Sequence, residues 1–219
     1  MDTRKLLAEL IGTFTFFLIG LMAILSEKAF FPNGDLVIIG FGFGLGLFAA
    51  IHIFGGISGG HFNPAVTVAA VLDGRLDPLT GVGYVVSQLI GGIGAAAFVL
   101  TMSSQAAVAG TATVPGNGIN DIQAVVIELV FTAVFVAVIL TSTKKAPTQA
   151  GFIIPLTLLV IHFAIVPFTG SSVNPARSIA SAVIGARYDS LWVYIVGPVL
   201  GAAVGWAVYR YLAGEADPA

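Results

Sequence analysis

Six long apolar stretches set the rhythm of the chain, at about Leu6 to Leu25, Leu36 to Phe54, Leu79 to Met102, Ile122 to Thr141, Ala150 to Phe168 and Leu191 to Leu212. Each has about the 20 residues that a helix needs to cross a hydrocarbon layer roughly 30 Å thick. Polar and turn-forming residues separate them: Pro32-Asn33-Gly34-Asp35, Asp73-Gly74-Arg75 with Asp77-Pro78, the Gly/Pro/Asn run from Gly110 to Asn120, and Lys144-Lys145-Ala146-Pro147. Two further apolar pieces, one within Gly55 to Leu72 and one within Thr169 to Gly185, are too short to cross and return. A helix from Asn63 to Leu72 would rise roughly 15 Å at 1.5 Å per residue, about half the layer. Two such half-helices meeting end to end would span it once. The pattern predicts an all-α membrane protein with six transmembrane helices and two re-entrant half-helices.

An internal repeat orders these elements. Asn-Pro-Ala occurs at Asn63-Pro64-Ala65 and again at Asn174-Pro175-Ala176, each time opening one of the short apolar pieces. Glu9-Leu-Ile-Gly-Thr in the first stretch has a counterpart in Glu128-Leu-Val-Phe-Thr of the fourth, and Tyr84, Gly91 and Ala95 match Tyr194, Gly201 and Gly205 at the same internal spacing. The repeat divides a single domain, residues 1–219, into halves at about 1–105 and 120–219. Three full spans in each half is an odd number, so the second half is expected to insert upside down relative to the first. The half-helices at Asn63 and Asn174 then enter from opposite sides and converge near the midplane.

Composition agrees with this reading and narrows the class. The chain is 57% hydrophobic and 9% charged with a mean hydropathy of +1.00, too little polar surface to clothe a water-soluble globule of 219 residues. The net charge is −2 and no block of like charges occurs, so nothing points to nucleic acid. The absence of cysteine excludes disulfides, thiolate metal ligation and cysteine nucleophiles, and no cofactor is expected. The opening from Met1 to Gly20 has the look of a signal peptide, but Glu9 interrupts it and the segment recurs later in the chain. With a cytoplasmic N-terminus, Arg4, Lys5, Arg75, Lys144, Lys145 and Arg210 lie inside and only Lys28 and Arg187 outside. Six spans return the C-terminus to the cytoplasm as well. The missing glycosylation sequons and short termini suggest a prokaryotic cell membrane.

The junction of the half-helices carries the candidate chemistry. Asn is a natural N-cap, and Pro is well placed at the first helical position, where a missing N–H costs nothing. The stretches before each Asn, Gly55 to Phe62 and Thr169 to Val173, are predicted to be irregular, and irregular backbone at membrane depth is tolerated where it lines a watery cavity. The wall there would include Gly59, Gly60 and His61. Two facing helix N-termini, each equivalent to about half a positive charge, would repel cations. The amide groups of Asn63 and Asn174 would donate into the pore, so that a central water accepting from both could not relay a proton.

Ser58-Gly-Gly-His-Phe-Asn-Pro-Ala-Val-Thr67 and Ser172-Val-Asn-Pro-Ala-Arg-Ser178 resemble the two signature segments of the aquaporin (major intrinsic protein) family, and Ala8-Glu-Leu-Ile-Gly-Thr13 resembles its first-helix motif. The resemblance covers nearly the whole chain and is nearest to prokaryotic orthodox water channels. It implies a homotetramer with one pore per subunit, and an outer filter of Phe43, His162, Ser171 and Arg177. In that filter Phe43 would be an apolar wall, His162 and Arg177 would supply donors, and Ser171 would offer a carbonyl. An arginine inside the membrane costs about 2.5 to 3.5 kcal/mol on insertion scales, which favours a functional role for Arg177. Glu9 and Glu128, placed alike in the two halves, are expected to accept backbone N–H groups and hold the two loops; a proton relay through them is the alternative for a coupled carrier. Glycerol-conducting members tend to have Gly in place of the His and Asp after the Arg; His162 and Ser178 here favour water, as does Ala182, while Ile195 departs from the usual aromatic pair. The expected function is passive, bidirectional water conduction with no catalytic cycle, the alternative permeant being glycerol or another small neutral solute.

Overall fold

The structure, a computed structural model, describes residues 2–31 and 34–213. The predicted break at Pro32 and Asn33, and the predicted placement of the two chain ends, therefore fall on or run into residues outside the described ones. The helices are α1 (Thr3–Phe30), α2 (Leu36–Ala50), α3 (Gly56–Ser58), α4 (Pro64–Leu72), α5 (Pro78–Thr101), α6 (Gln105–Ala109), α7 (Asp121–Lys145), α8 (Pro147–Thr169), α9 (Pro175–Gly185) and α10 (Val193–Ala213). Among the described residues, six helical segments are long and apolar enough to cross a membrane, and α4 and α9 are the two short ones opened by Asn-Pro-Ala. Starts are set by local chemistry: Asp2, Asp35 and Asp77 cap α1, α2 and α5, and Asn120 with Gln123 forms a reciprocal capping box on α7.

Large apolar side chains lie on the outside. Leu45, Val86, Val134, Val160 and Val204 are all more than 40% exposed, one on each of five spans. Such a surface is stable against lipid and not against water. Inside, α1 packs on α2 and α5, α7 packs on α8 and α10, and α2 meets α8 across the middle. Close approach depends on glycine at two equivalent crossings. A Cβ on Gly91 would stand 2.2 Å from the Leu10 carbonyl oxygen, and one on Gly201 would stand 2.4 Å from that of Leu129. The run from Gly40 to Gly46 is likewise used within the chain, with Gly44 against Leu159 and Gly46 against the Phe16 carbonyl.

The half-helices are exchanged between the halves. Helix α4 lodges against α10, and α9 lodges against α5, while their N-termini touch. One expectation needs correction. The irregular stretch before Asn63 does not begin at Gly55: α2 continues through a π-helical turn, Ile51–Gly55, into α3, leaving only 59–62 outside a helix. The π-turn carries the helix past Gly55 with its backbone groups still paired, as membrane depth requires. The second stretch is similarly short, because α8 runs through Thr169.

Candidate permeation pathway

Both loops are held by a buried glutamate. Glu9 takes four hydrogen bonds: from Ser58 Oγ (2.6 Å) and His61 N (3.0 Å) on one oxygen, and from Phe62 N (2.7 Å) and Gln88 Nε2 (2.8 Å) on the other. Glu128 takes three, from Thr169 Oγ1 (2.7 Å), Ser172 N (2.9 Å) and Val173 N (2.7 Å). Charge-assisted bonds of this kind are about twice as strong as neutral ones. They hold Phe62 and Val173 in the left-handed region, at φ 46° and 44°, where bulky residues are rare. That turn aims the carbonyl of each toward the opposite loop.

The two asparagines are thereby cross-linked. Each caps its own helix, Asn63 accepting from Ala65 N at 2.9 Å and Asn174 from Ala176 N at 3.1 Å. Asn63 Nδ2 donates to the Val173 carbonyl at 2.8 Å, and Asn174 Nδ2 donates to that of Phe62 at 2.9 Å. One of the two amide hydrogens on each side chain is used in this exchange, so a single N–H of each is left for the pathway. Pro64, Ala65, Pro175 and Ala176 stand behind them, buried at the first helical turns.

A cavity of about 560 Å³ runs from Lys5, Arg75 and Thr143 at one end, past Gly59, Gly60 and His61, to Asn63 and Asn174 and on to Phe43, His162 and Arg177. At that far end the side chains crowd together. The Phe43 and His162 rings stack with centroids 4.7 Å apart, and Arg177 Cζ lies 5.2 Å from the Phe43 centroid. Arg177 Nη1 donates to the Thr111 carbonyl at 2.7 Å, whereas Arg177 Nε and His162 Nε2 have no partner among the described residues. Ser171, the fourth expected member, is fully buried and holds a left-handed backbone conformation at φ 52°.

His162 differs in sign from the expectation. Its Nδ1 lies 2.9 Å from the Leu158 carbonyl, which can only accept. The proton of the neutral ring is therefore on Nδ1, and Nε2 offers a lone pair where a donor was expected. Sequence reasoning missed three other contributors. Gln88 braces Glu9, Thr111 holds Arg177, and Thr113 donates to Ser178 Oγ at 2.7 Å. Only the polarity of Gln88 and its place in an apolar span could have drawn attention to it. The departure at Ile195 has no bearing on the pathway, because that side chain is 37% exposed and lies away from the cavity lining.

Among the described residues, six helices long enough to cross a membrane surround a cavity entered by two half-helices, which defines an integral multi-pass membrane protein with a channel architecture. The family model described as MIP: Major intrinsic protein matches residues 1–209, and the chain belongs to that family of channels. It is 39% identical to an Aquaporin Z of Photorhabdus laumondii, over 97% of this chain and 98% of that one. It is 37% identical to the Glycerol uptake facilitator protein-like 6 of Lactiplantibacillus plantarum, over 97% and 99%. Among solved structures, the aquaglyceroporin from Plasmodium falciparum superimposes with a TM-score of 0.87 at 23% identity, covering 94% of this chain and 95% of that one, a likeness of fold.

Proposed function

We propose that the protein is a passive water channel that conducts water in single file in both directions and excludes protons and ions. The observation that carries the choice of water over glycerol is the crowding of Phe43, His162 and Arg177, all at most 3% exposed, with Phe43 against both of the others, at one end of the cavity. A gap bounded by a stacked aromatic pair and a guanidinium favours a molecule the size of water. The unpartnered Arg177 Nε and His162 Nε2 offer it one donor and one acceptor. Ions are opposed by the Arg177 charge and by the positive ends of α4 and α9 at the two asparagines.

A glycerol facilitator is the second reading, favoured by the name of the Lactiplantibacillus plantarum relative. A proton-coupled carrier finds less support, because the Glu9 and Glu128 oxygens are each occupied by at least one donor and both carboxylates are shut away from the cavity lining. The protein is further read as a homotetramer in the cell membrane, with permeating water and lipid as its only other partners and both termini in the cytoplasm. Stopped-flow light scattering on proteoliposomes tests the permeant: water efflux well above empty vesicles with glycerol entry at their level is expected. Glycerol entry that rises with protein content would transfer the assignment to the second reading.

A further inference from the structure

The wall histidine of the first loop ends a chain of buried side chains that runs back to α1. Gln88 Nε2 bridges Glu9 Oε2 (2.8 Å) and Thr67 Oγ1 (2.9 Å), and Thr67 Oγ1 lies 3.1 Å from both the Asn63 carbonyl and His61 Nδ1. The carboxylate of Glu9 only accepts, which assigns the amide nitrogen of Gln88 and makes it a donor to Thr67 as well. A hydroxyl has one hydrogen and two lone pairs. Gln88 takes one lone pair, and the Asn63 carbonyl can only receive the hydrogen. All three contacts are satisfied together in one way alone, with His61 Nδ1–H donating to the remaining lone pair of Thr67.

From this inventory we infer that Thr67, anchored by Gln88, fixes His61 as the Nδ1–H tautomer, which leaves Nε2 as a hydrogen-bond acceptor on a residue that lines the cavity. Thr67 is a positioning residue. It stands behind the wall, fully buried, and acts through the ring it orients. The second loop has the same three-membered chain with different ends: Thr113 donates to Ser178, which meets Ser172 at 2.6 Å, and Ser172 turns back onto the backbone of Asn174. There the chain turns back on its own loop at Ser172, which also lines the cavity; only in the first loop does it end on an imidazole.

The inference rests on the water-channel reading for its functional consequence, but the tautomer can be read independently. Protein labelled with 15N-histidine and reconstituted in bilayers should show His61, identified by its loss in His61→Gln, with a protonated Nδ1 and a bare Nε2. His52 and His162 serve as internal references, since each sets Nδ1 against a backbone carbonyl, of Phe48 and Leu158. In Thr67→Val the His61 signal should change to the Nε2–H pattern while the other two stay, and water permeability should fall about fivefold, the loss expected for one hydrogen bond of ordinary strength. Thr67→Ser, which keeps the hydroxyl, should restore both. An Nε2-protonated or charged His61 in the wild type overturns the inference, and so does an unchanged His61 signal in Thr67→Val. Should Thr67→Val not fold, the wild-type and Thr67→Ser spectra still decide. A wild type with the expected tautomer but no water flux would sink the functional reading alone.

Discussion

The two re-entrant loops share a scaffold and differ in what they show to the cavity. Ser58 and Thr169, His61 and Ser172, Phe62 and Val173, Asn63 and Asn174, and Thr67 and Ser178 occupy matching places. In both loops a glutamate from the first span of that half holds a hydroxyl and two successive backbone N–H groups. Those contacts position backbone, and both copies keep them. The divergence with the largest change of chemistry falls on side chains that reach the pathway. The first loop offers His61 and, after its Ala65, Val66; the second offers Ser172 and, after its Ala176, Arg177. A repeated frame thus carries an unrepeated lining, with an aromatic pair and a guanidinium crowded at the Arg177 end.

The largest effect that would break this comparison comes from the frame. Glu9→Leu unpairs four buried donors and Glu128→Leu three, and each orphaned donor costs about 1–3 kcal/mol. Loss of folded protein is expected from both, more complete for Glu9→Leu when measured as thermal stability in detergent. A reversed order would mean that the second loop depends more on its glutamate than the bond inventory says.

The next effect concerns the lining. Arg177→Val makes the second loop a copy of the first at that place, as Asn-Pro-Ala-Val. Glycerol entry into proteoliposomes should rise, roughly tenfold for each 1.4 kcal/mol of barrier removed, with little change in stability. Unchanged exclusion of glycerol would separate Arg177 from selectivity.

The smallest effect sharpens the comparison at the far ends of the half-helices. Arg75 follows α4 and Arg187 follows α9, each beside an aspartate two residues away. Arg75 is drawn into the protein, where it donates to Asp73 (2.6 Å), Thr143 (2.7 Å), the Leu140 carbonyl (3.1 Å) and Tyr209 (3.3 Å). Arg187 has an exposed 3.2 Å contact with Asp189. Arg75→Ala should lower stability by about 1.5–3 kcal/mol, and Arg187→Ala by less than about 0.5 kcal/mol, both read from thermal melts.

Legibility in the sequence followed the range of the interaction. Apolar length predicts the six spans, and Asn-Pro-Ala marks the starts of α4 and α9, because capping is a local event within two or three residues. The repeated Glu9 and Glu128 are readable because repetition itself singles them out. Contacts without a local signature were hidden: the exchanged bonds from Asn63 to Val173 and from Asn174 to Phe62, the Gln88 brace, and the hold of Thr111 on Arg177. Helix α6 and the π-turn at Ile51–Gly55 were also missed. Five residues carry too little periodicity to register, and a Gly-Gly pair reads as a break whether or not the helix absorbs it.

The central claim is that two oppositely inserted loops, cross-linked through Asn63 and Asn174, pass water and stop charge. It is tested most directly by measuring osmotic water flux and proton entry in the same proteoliposomes, with a pH dye inside and an imposed pH gradient. Water flux that scales with protein content, with proton entry no faster than in empty vesicles, is the expected result. Proton entry that rises in step with water flux would contradict it.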